Sequence, residues 1–379
     1  MKRTSRQYGL ICMLLGGATT ALATDISFNG FANFTAGEVV GGSNQGSHLQ
    51  YQCPCFVSNY EYGGIYQHTG VDVAQESMMG LQATAKVDDK LSAILQVDAR
   101  GLNGYQPSVD WAYASYQLND TFTVQVGRKR LPWYMYSDYN YVGYAYIWVR
   151  PPVDLYGWEV YSYDGVNLQY NNAWGDWAVY SNTWAGNQSS LNAPGLTQVY
   201  NGYATDTSWR DIIGSSLDVS NEYVHLRAMY MQNKVYQGAQ NPGNSATQTA
   251  ATPDTPIQNA QFQQALGFAA NIDYKSFLLR SQYNIVRRPQ MGYIAPSGLL
   301  GVGYRVDDVT GMYTSSRYRE SKSWLYTQPQ RDSTRALTLR WDFRPSMDLK
   351  LQYDMFVDHS QFPFLGDSKL VTTSFDMVF

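Results

Sequence analysis

Hydrophobic and polar residues alternate with a period of two along most of this chain, which places successive side chains on opposite faces of strands. Leu91, Ala93, Leu95 and Val97 alternate with Ser92, Ile94, Gln96 and Asp98. Further on, Leu337, Leu339, Trp341 and Phe343 oppose Thr338, Arg340 and Asp342, and Leu349, Leu351, Tyr353, Met355 and Val357 oppose Lys350, Gln352 and Asp354. Strands are expected near 25–35, 78–87, 91–99, 108–118, 121–130, 157–171, 176–184 and 209–219. More follow near 222–232, 261–273, 276–287, 299–306, 309–318, 334–343, 347–357 and 368–379, about sixteen in all. Two leave their facing open: in 108–118 either Trp111, Tyr113 and Ser115 or Ala112, Ala114 and Tyr116 form the apolar side, and 309–318 is equally balanced.

The connections alternate in length. Tight turns fall at 88–90, 119–120, 173–175, 220–221, 274–275, 307–308 and 344–346, mostly on residues that favour turns. Long connections lie between them, at 36–77, 100–107, 131–156, 185–208, 233–260, 288–298, 319–333 and 358–367. Alternation alone also suits a soluble sandwich with one protein core. Strict succession of turn and loop, with strands of roughly ten residues, instead suits a tilted strand crossing a bilayer.

The final segment, Lys369 to Phe379, puts Val371, Thr373, Phe375, Met377 and Phe379 on one face and ends on an aromatic residue. It resembles the last strand of Gram-negative outer-membrane barrels, and the resemblance implies that Phe375, Met377 and Phe379 are part of an assembly signal read by the barrel assembly machinery. At the other end, Lys2, Arg3 and Arg6 precede an apolar stretch from Leu10 to about Ala18, and Ala21-Leu22-Ala23 offers a cleavage site. Residues 1–23 are therefore read as an export signal peptide and 24–379 as the barrel. Of 27 Lys and Arg, removing those three cations leaves 24 against 31 Asp and Glu, a formal charge of −7, which gives no reason to expect nucleic acid as a partner. No run of 18 apolar residues exists, so membrane helices are not expected. The fold class that follows is all-β: a transmembrane antiparallel β-barrel of about sixteen strands.

A ring of sixteen strands leaves an aqueous lumen unless something plugs it. The loop from Leu131 to Tyr156 is unlike the others, with three prolines and a dense run of aromatics that suggest order. The stretch from Gly127 through Arg128-Lys129-Arg130 to Asp138, continuing through Val142-Gly-Tyr-Ala-Tyr146 to Arg150-Pro-Pro, resembles the corresponding segment of porin-like outer-membrane proteins. In sixteen-stranded general porins the third external loop folds inward and narrows the pore, so the resemblance implies that 131–156 is the constriction. It also implies a homotrimer among lipid and lipopolysaccharide.

Alternation turns Lys86, Arg100, Arg227, Arg280, Arg305, Arg340 and Lys350 inward, with Asp98, Asp342, Asp354 and Asp376. An Arg or Lys facing lipid at the midplane would cost about 2–4 kcal/mol. These residues, with Lys129 and Arg150, are the candidate pore lining, and a basic wall facing Asp138 and Asp154 would set a transverse field. The competing reading is that the charges only neutralise one another. Trp133, Tyr136, Tyr139, Tyr144 and Trp148 form a candidate track for a sugar or aromatic solute, although such rings more often pack a loop against its wall.

Cys53 and Cys55 flank Pro54 and read as a local loop clip or two free thiols. A metal site with His48 or His68 has only unspecific spacing to support it. No catalytic motif appears, so neither an enzyme nor a cofactor is expected. The functional expectation is a water-filled outer-membrane channel for passive diffusion of small hydrophilic solutes. The alternatives are a selective channel for sugars or small anions such as phosphate, sulfate or carboxylates, or an adhesion or receptor barrel acting through its loops.

Overall fold

A computed structural model describes residues 25–43, 51–158, 160–190, 193–195, 205–239, 260–321, 329–361 and 366–379. The expected leader, 1–23, lies outside the described residues, as does His48. Strand β1 (Asp25–Gly42) opens the wall and is followed by a separate hairpin of β2 (Phe56–Asn59) and β3 (Gly64–Tyr66). The wall continues through β4 (Met78–Lys86), β5 (Leu91–Arg100), β6 (Pro107–Gln117), β7 (Phe122–Arg130), β8 (Ser162–Trp174) and β9 (Trp177–Ser190). Next come β10 (Thr205–Ser220), β11 (Val224–Ala239), β12 (Gln261–Tyr274), β13 (Phe277–Arg288) and β14 (Tyr293–Val306). Strands β15 (Val309–Arg319), β16 (Arg331–Arg344), β17 (Met347–Asp358) and β18 (Ser368–Val378) complete it. Every wall strand pairs antiparallel with its neighbours, and β18 pairs back onto β1, so sixteen strands form one closed ring. Closure removes the unpaired edge that an open sheet would present.

The apolar set faces outward. Leu337, Leu339 and Trp341 are about half exposed, whereas Thr338 and Arg340 between them are buried. This inversion of a soluble protein is what a barrel with a lipid-facing wall and a polar interior requires. Both ambiguous strands are settled by their neighbours. In β6 an extra residue, Asp110, interrupts pairing with β5, because Gln96 faces Trp111 while Val97 faces Val109. Such a bulge resets the alternation. Trp111, Tyr113 and Ser115 consequently share the inner face with buried Gln96 and Gln125, and Ala112, Ala114 and Tyr116 point outward. In β15, Thr310, Met312, Thr314 and Ser316 are buried on the inner face and Tyr313 is exposed on the outer one.

The last strand sits as the alternation requires, with Phe375, Met377 and Phe379 outward and Asp376 buried inward. Phe34 and Phe375 stack across the β1–β18 seam with centroids 6.2 Å apart. Phe379 extends the seam through backbone bonds with Gly30 of 2.7 and 2.9 Å. A Cβ at Gly30 would lie 2.5 Å from the Phe379 ring, so a larger residue there would have to displace the ring.

Several strands run beyond their expected bounds. β1 reaches Gly42, β10 begins at Thr205, and β14 begins at Tyr293 despite Pro296, which lies just above the β14–β15 ladder that starts at Ser297. β8 begins at Ser162, later than expected, because the chain before it belongs to the preceding loop. The β2–β3 hairpin was not expected. Phe56, Val57, Ile65 and Tyr66 are buried in one cluster with Val39, Phe356 and Leu370 of the wall, and the Phe56 ring meets Phe356 edge-on at 6.2 Å. Cys53 and Cys55 are joined by a disulfide at the base of this hairpin, and the His68 Nδ1 lies 2.7 Å from the Val39 carbonyl. The local clip is therefore the form these cysteines take.

Candidate functional site

The connection from β7 to β8 is built around its aromatics. Two short 3-10 turns, Ser137–Tyr139 and Gly143–Ala145, and one helical turn, α1 (Val153–Tyr156), punctuate it. Trp133 stacks on Tyr134 with centroids 5.2 Å apart and touches Trp158 at 5.1 Å and Trp209 of β10 at 5.2 Å. Tyr134 and Tyr156 close the cluster at 4.5 Å. Rings buried in offset and edge-on contacts each remove 150–250 Å² of surface from water, roughly, and this is ample to order a loop.

Hydrogen bonds join the segment to inward-facing residues of strands around the ring. Arg227 of β11 donates to the Pro132 carbonyl at 3.0 Å, and Tyr136 donates to Asn271 of β12 at 3.0 Å. Tyr156 donates to Gln282 of β13 at 2.9 Å, and Trp148 Nε1 donates to Thr314 of β15 at 2.8 Å. Arg340 of β16 donates to the carbonyls of Tyr144 and Tyr146 at 3.0 and 2.7 Å, and Lys350 of β17 donates to the Gly143 carbonyl at 2.6 Å. From β1, the Asn33 side chain donates to the Tyr141 carbonyl and accepts from the Gly143 N–H. These bonds satisfy backbone groups that burial would otherwise leave unpaired.

The charges form three networks. Arg150, from the loop, bonds Glu76 at 2.5 and 2.6 Å, Asp354 at 2.6 Å and Thr372 at 2.6 Å. Burial disfavours its cation, but Glu76 and Asp354 more than offset this and hold the guanidinium above its ordinary value. A second network joins Arg100 to Asp98, and Arg130 to Asp110 at 2.8 Å and Glu61 at 3.9 Å. Tyr141 donates to Glu61 and lies under both guanidiniums, at 4.5 Å from Arg100 and 3.7 Å from Arg130. Burial pushes Glu61 above the usual carboxylate range against the pull of Arg130 and Arg100. In the third, Lys350 pairs with Asp376 at 2.9 Å, and Arg340 pairs with Asp342 at 2.6 Å and Asp348 at 3.1 Å.

The expected arrangement, a basic wall opposite loop carboxylates, is therefore revised. Arg340 and Lys350 are engaged with wall carboxylates and loop carbonyls, and at Arg150 the polarity is reversed, with the cation on the loop and acids beside it. Asp154 accepts from Ser316 rather than facing a cation, and burial pushes its carboxyl up to about 6. Asp138 is exposed on the loop. Lys129 donates to Gln125 and sits 4.8 Å over the Tyr113 ring. Arg227 lies 3.7 Å from Asp218, Arg280 pairs with Asp273, and Arg305 donates to Thr310 at 3.2 Å. Of the aromatic track, Trp133, Tyr136 and Trp148 are buried, and only Tyr139 and Tyr144 keep part of their surface open. Packing has taken the rings that a solute would need.

Glu61, Glu76, Asp110, Arg130 and Asp348 belong to these networks without any sequence pattern that marks them. Alternation would turn Arg130, the last residue of β7, away from inward Lys129, and the bulged Asp110 draws it back. Glu61 and Glu76 lie in a loop where no periodicity operates. Between the hairpin, the aromatic segment, β1 and β18 lies a cavity of about 70 Å³. Asn33, Thr35, Glu76, Arg100, Tyr141, Arg150 and Asp376 are among its lining residues. At ~10–15 Å³ per probe sphere it has room for a few water molecules.

A closed antiparallel ring of sixteen strands with an apolar exterior and a polar interior is the fold of sixteen-stranded porins. No family model and no curated protein matches the sequence. Solved structures do share the fold. The outer membrane channel DcaP of Acinetobacter baumannii superposes with a TM-score of 0.60 at 9% identity, covering 94% of this chain and 97% of that one. An anion-selective porin from Comamonas acidovorans gives 0.55 at 12%, covering 94% and 99%. The trimer form of OmpT, an outer membrane protein of Vibrio cholerae, gives 0.54 at 9%, covering 94% and 99%. At such identities the likeness is one of fold.

Proposed function

We propose that this protein is an outer-membrane channel of a Gram-negative bacterium through which small hydrophilic solutes diffuse passively. One observation carries the reading: the ring is closed, with polar residues on the inside and exposed Leu, Val, Phe and Tyr on the outside. A sixteen-strand ring is too wide for wall side chains alone to fill. The segment 131–156 is the constriction, held against the inner wall by the bonds above. It narrows the passage together with the β2–β3 hairpin. Its solutes are correspondingly small, and conductance is expected to lie below that of a channel with only one loop in its lumen.

In the same reading the chain reaches the membrane behind a cleaved leader at 1–23, is assembled by the barrel assembly machinery, sits among lipopolysaccharide and forms a homotrimer. The trimer form of the Vibrio structure supports the last point. It performs no catalysis. Planar-bilayer recording with liposome swelling tests the function. Stepwise conductance and size-limited entry of sugars are expected; a protein that inserts yet neither conducts nor passes solutes would sink it. Cross-linking in native membranes should give a three-chain product, and a product of one chain alone would remove the trimer.

A further inference from the structure

The hydrogen bonds that fasten the segment 131–156 run to β1, to β11, β12 and β13, and to β15, β16 and β17. Its one fully exposed carboxylate belongs to another sector of the wall. Asp138 acts electrostatically on Tyr113 of β6, Lys129 of β7, Tyr163 of β8 and Tyr180 of β9, which are consecutive strands. It forms no ion pair with Lys129 among the described residues; the ammonium donates to Gln125 instead. A carboxylate and an ammonium that attract across a distance without meeting, one of them open to water, stand on the two sides of a gap. The gap lies between the loop and the inner face of β6 to β9.

The wall side of this gap differs from the three charged networks. Trp111 and Tyr113 of β6 are half-buried, with ring centroids 6.1 Å apart and planes tilted by 51°. Tyr180 of β9 is also half-buried, on the same face as Asn182. A row of buried amides joins these rings. Gln125 lies directly across from Asn167 in the β7–β8 ladder, and Asn167 donates to Asn182 at 2.8 Å. The indole Nε1 of Trp111 is left without a hydrogen-bond partner. Further round, Asp218 and Arg227 lie 3.7 Å apart and so oppose each other.

This chemistry selects by type of solute. An ion of either sign passing Asp138 and Lys129 is attracted by one and repelled by the other, and the amide row offers it no counter-charge. A sugar is uncharged, carries hydroxyls that both donate and accept, and turns C–H faces that pack on aromatic rings. We propose that Trp111, Tyr113 and Tyr180, facing Asp138 across the gap with Lys129 beside them, line the passage and form a weak binding lane for neutral polyhydroxylated solutes, sugars of one or two rings. This rests on the reading of the protein as a passive channel and names the solute class that its passage favours. The rings that serve the solute are thus on the wall, while those of the loop hold the loop in place.

The test records ion current through the purified full-length protein in planar bilayers at fixed ionic strength. Trehalose is the neutral probe, phosphorylated trehalose its anionic counterpart and trehalosamine its cationic one. Trehalose should reduce the current saturably, and both charged forms should block several-fold less at equal concentration. Tyr113→Ala and Tyr180→Ala should each raise the half-blocking concentration of trehalose by roughly two- to tenfold, the scale of one aromatic contact. Tyr113→Phe keeps the ring and should stay near the parent, a rescue that a merely structural role of the hydroxyl would not give. Tyr116→Ala, on the outer face of the same strand, should leave the block unchanged. If an alanine variant fails to close the barrel, Tyr113→Leu, which keeps apolar volume without the ring, reads the same effect. A conducting channel with no saturable block by trehalose, with equal block by the charged forms, or with block untouched by loss of either ring overturns the lane and leaves the channel standing. A protein that inserts and passes no current overturns the channel itself, and the lane with it.

Discussion

Arg150 shows how much of the lumen depends on single side chains. Its guanidinium bridges Glu76, Asp354 and Thr372, and so ties the aromatic segment to the wall and to the loop before β4. Arg150→Ala would strand the buried Asp354 and the part-buried Glu76, a loss of about 3–5 kcal/mol for a broken buried pair. Single-channel records of that variant should show larger and noisier steps. Arg150→Lys keeps the charge but not the fork, so an intermediate record is expected. Asp154 gives a pH dependence with a definite sign. Its carboxyl titrates at about 6 in place against an ordinary 3.8, so the anchored segment holds the proton more tightly than a released one. Anchoring therefore strengthens as pH falls from about 6 towards 4, by an amount on the order of 3 kcal/mol, and weakens as pH rises through 6. Closure events in bilayers should be steadier at pH 4.5 than at 7.5, and Asp154→Asn should remove the difference; an unchanged pH response in that variant would assign it to another group.

At the scale of elements, the wall strands were legible because two simple rules act on them. Side chains alternate, and short connections need turn residues, so Leu337-Thr338-Leu339-Arg340-Trp341 and the Asp307-Asp308 turn declare themselves. Legibility fails where a third partner intervenes. Asp110 shifts the count in β6, and no local pattern announces that shift. The hairpin of β2 and β3 left a trace in its apolar pairs Phe56-Val57 and Ile65-Tyr66, but what buries them is Val39, Phe356 and Leu370, far away in the chain. The aromatic segment was recognisable by composition, whereas which rings remain open is decided by Trp209, Thr314 and Gln282 across the lumen. Trp148→Ala removes a buried ring and its bond to Thr314, at a cost of about 3–5 kcal/mol. Amide exchange across 143–156 should rise while the wall strands stay protected. At the seam, Gly30→Val would push the Phe379 ring from its seat, and heat-modifiable mobility on gels should show slower formation of the compact barrel, with Phe379→Ala behaving alike.

For the whole molecule, the balance of charge in the three networks should set ion preference in the channel proposed above. Glu61, Glu76, Asp98, Asp110, Asp342, Asp348, Asp354 and Asp376 outnumber Arg100, Arg130, Arg150, Arg340 and Lys350 among the residues of the three networks. A modest preference for cations is expected, measurable as a reversal potential in a salt gradient and weakening as the salt concentration rises. A preference for anions would show that the exposed cations outside these networks govern the passage.

The seam between β1 and β18 has a consequence for biosynthesis. Phe31 pairs with Val378, far along the chain, so β1 is made long before the strand that completes its ladder. Contacts this distant are the slowest to form. Until β18 is in place, β1 waits with one side of its backbone unsatisfied, and any other sticky strand can take the vacant place. A cell making this protein must therefore shield an unfinished edge until the ring closes, and its yield should respond to the supply of chaperones more than to any single contact in the finished wall.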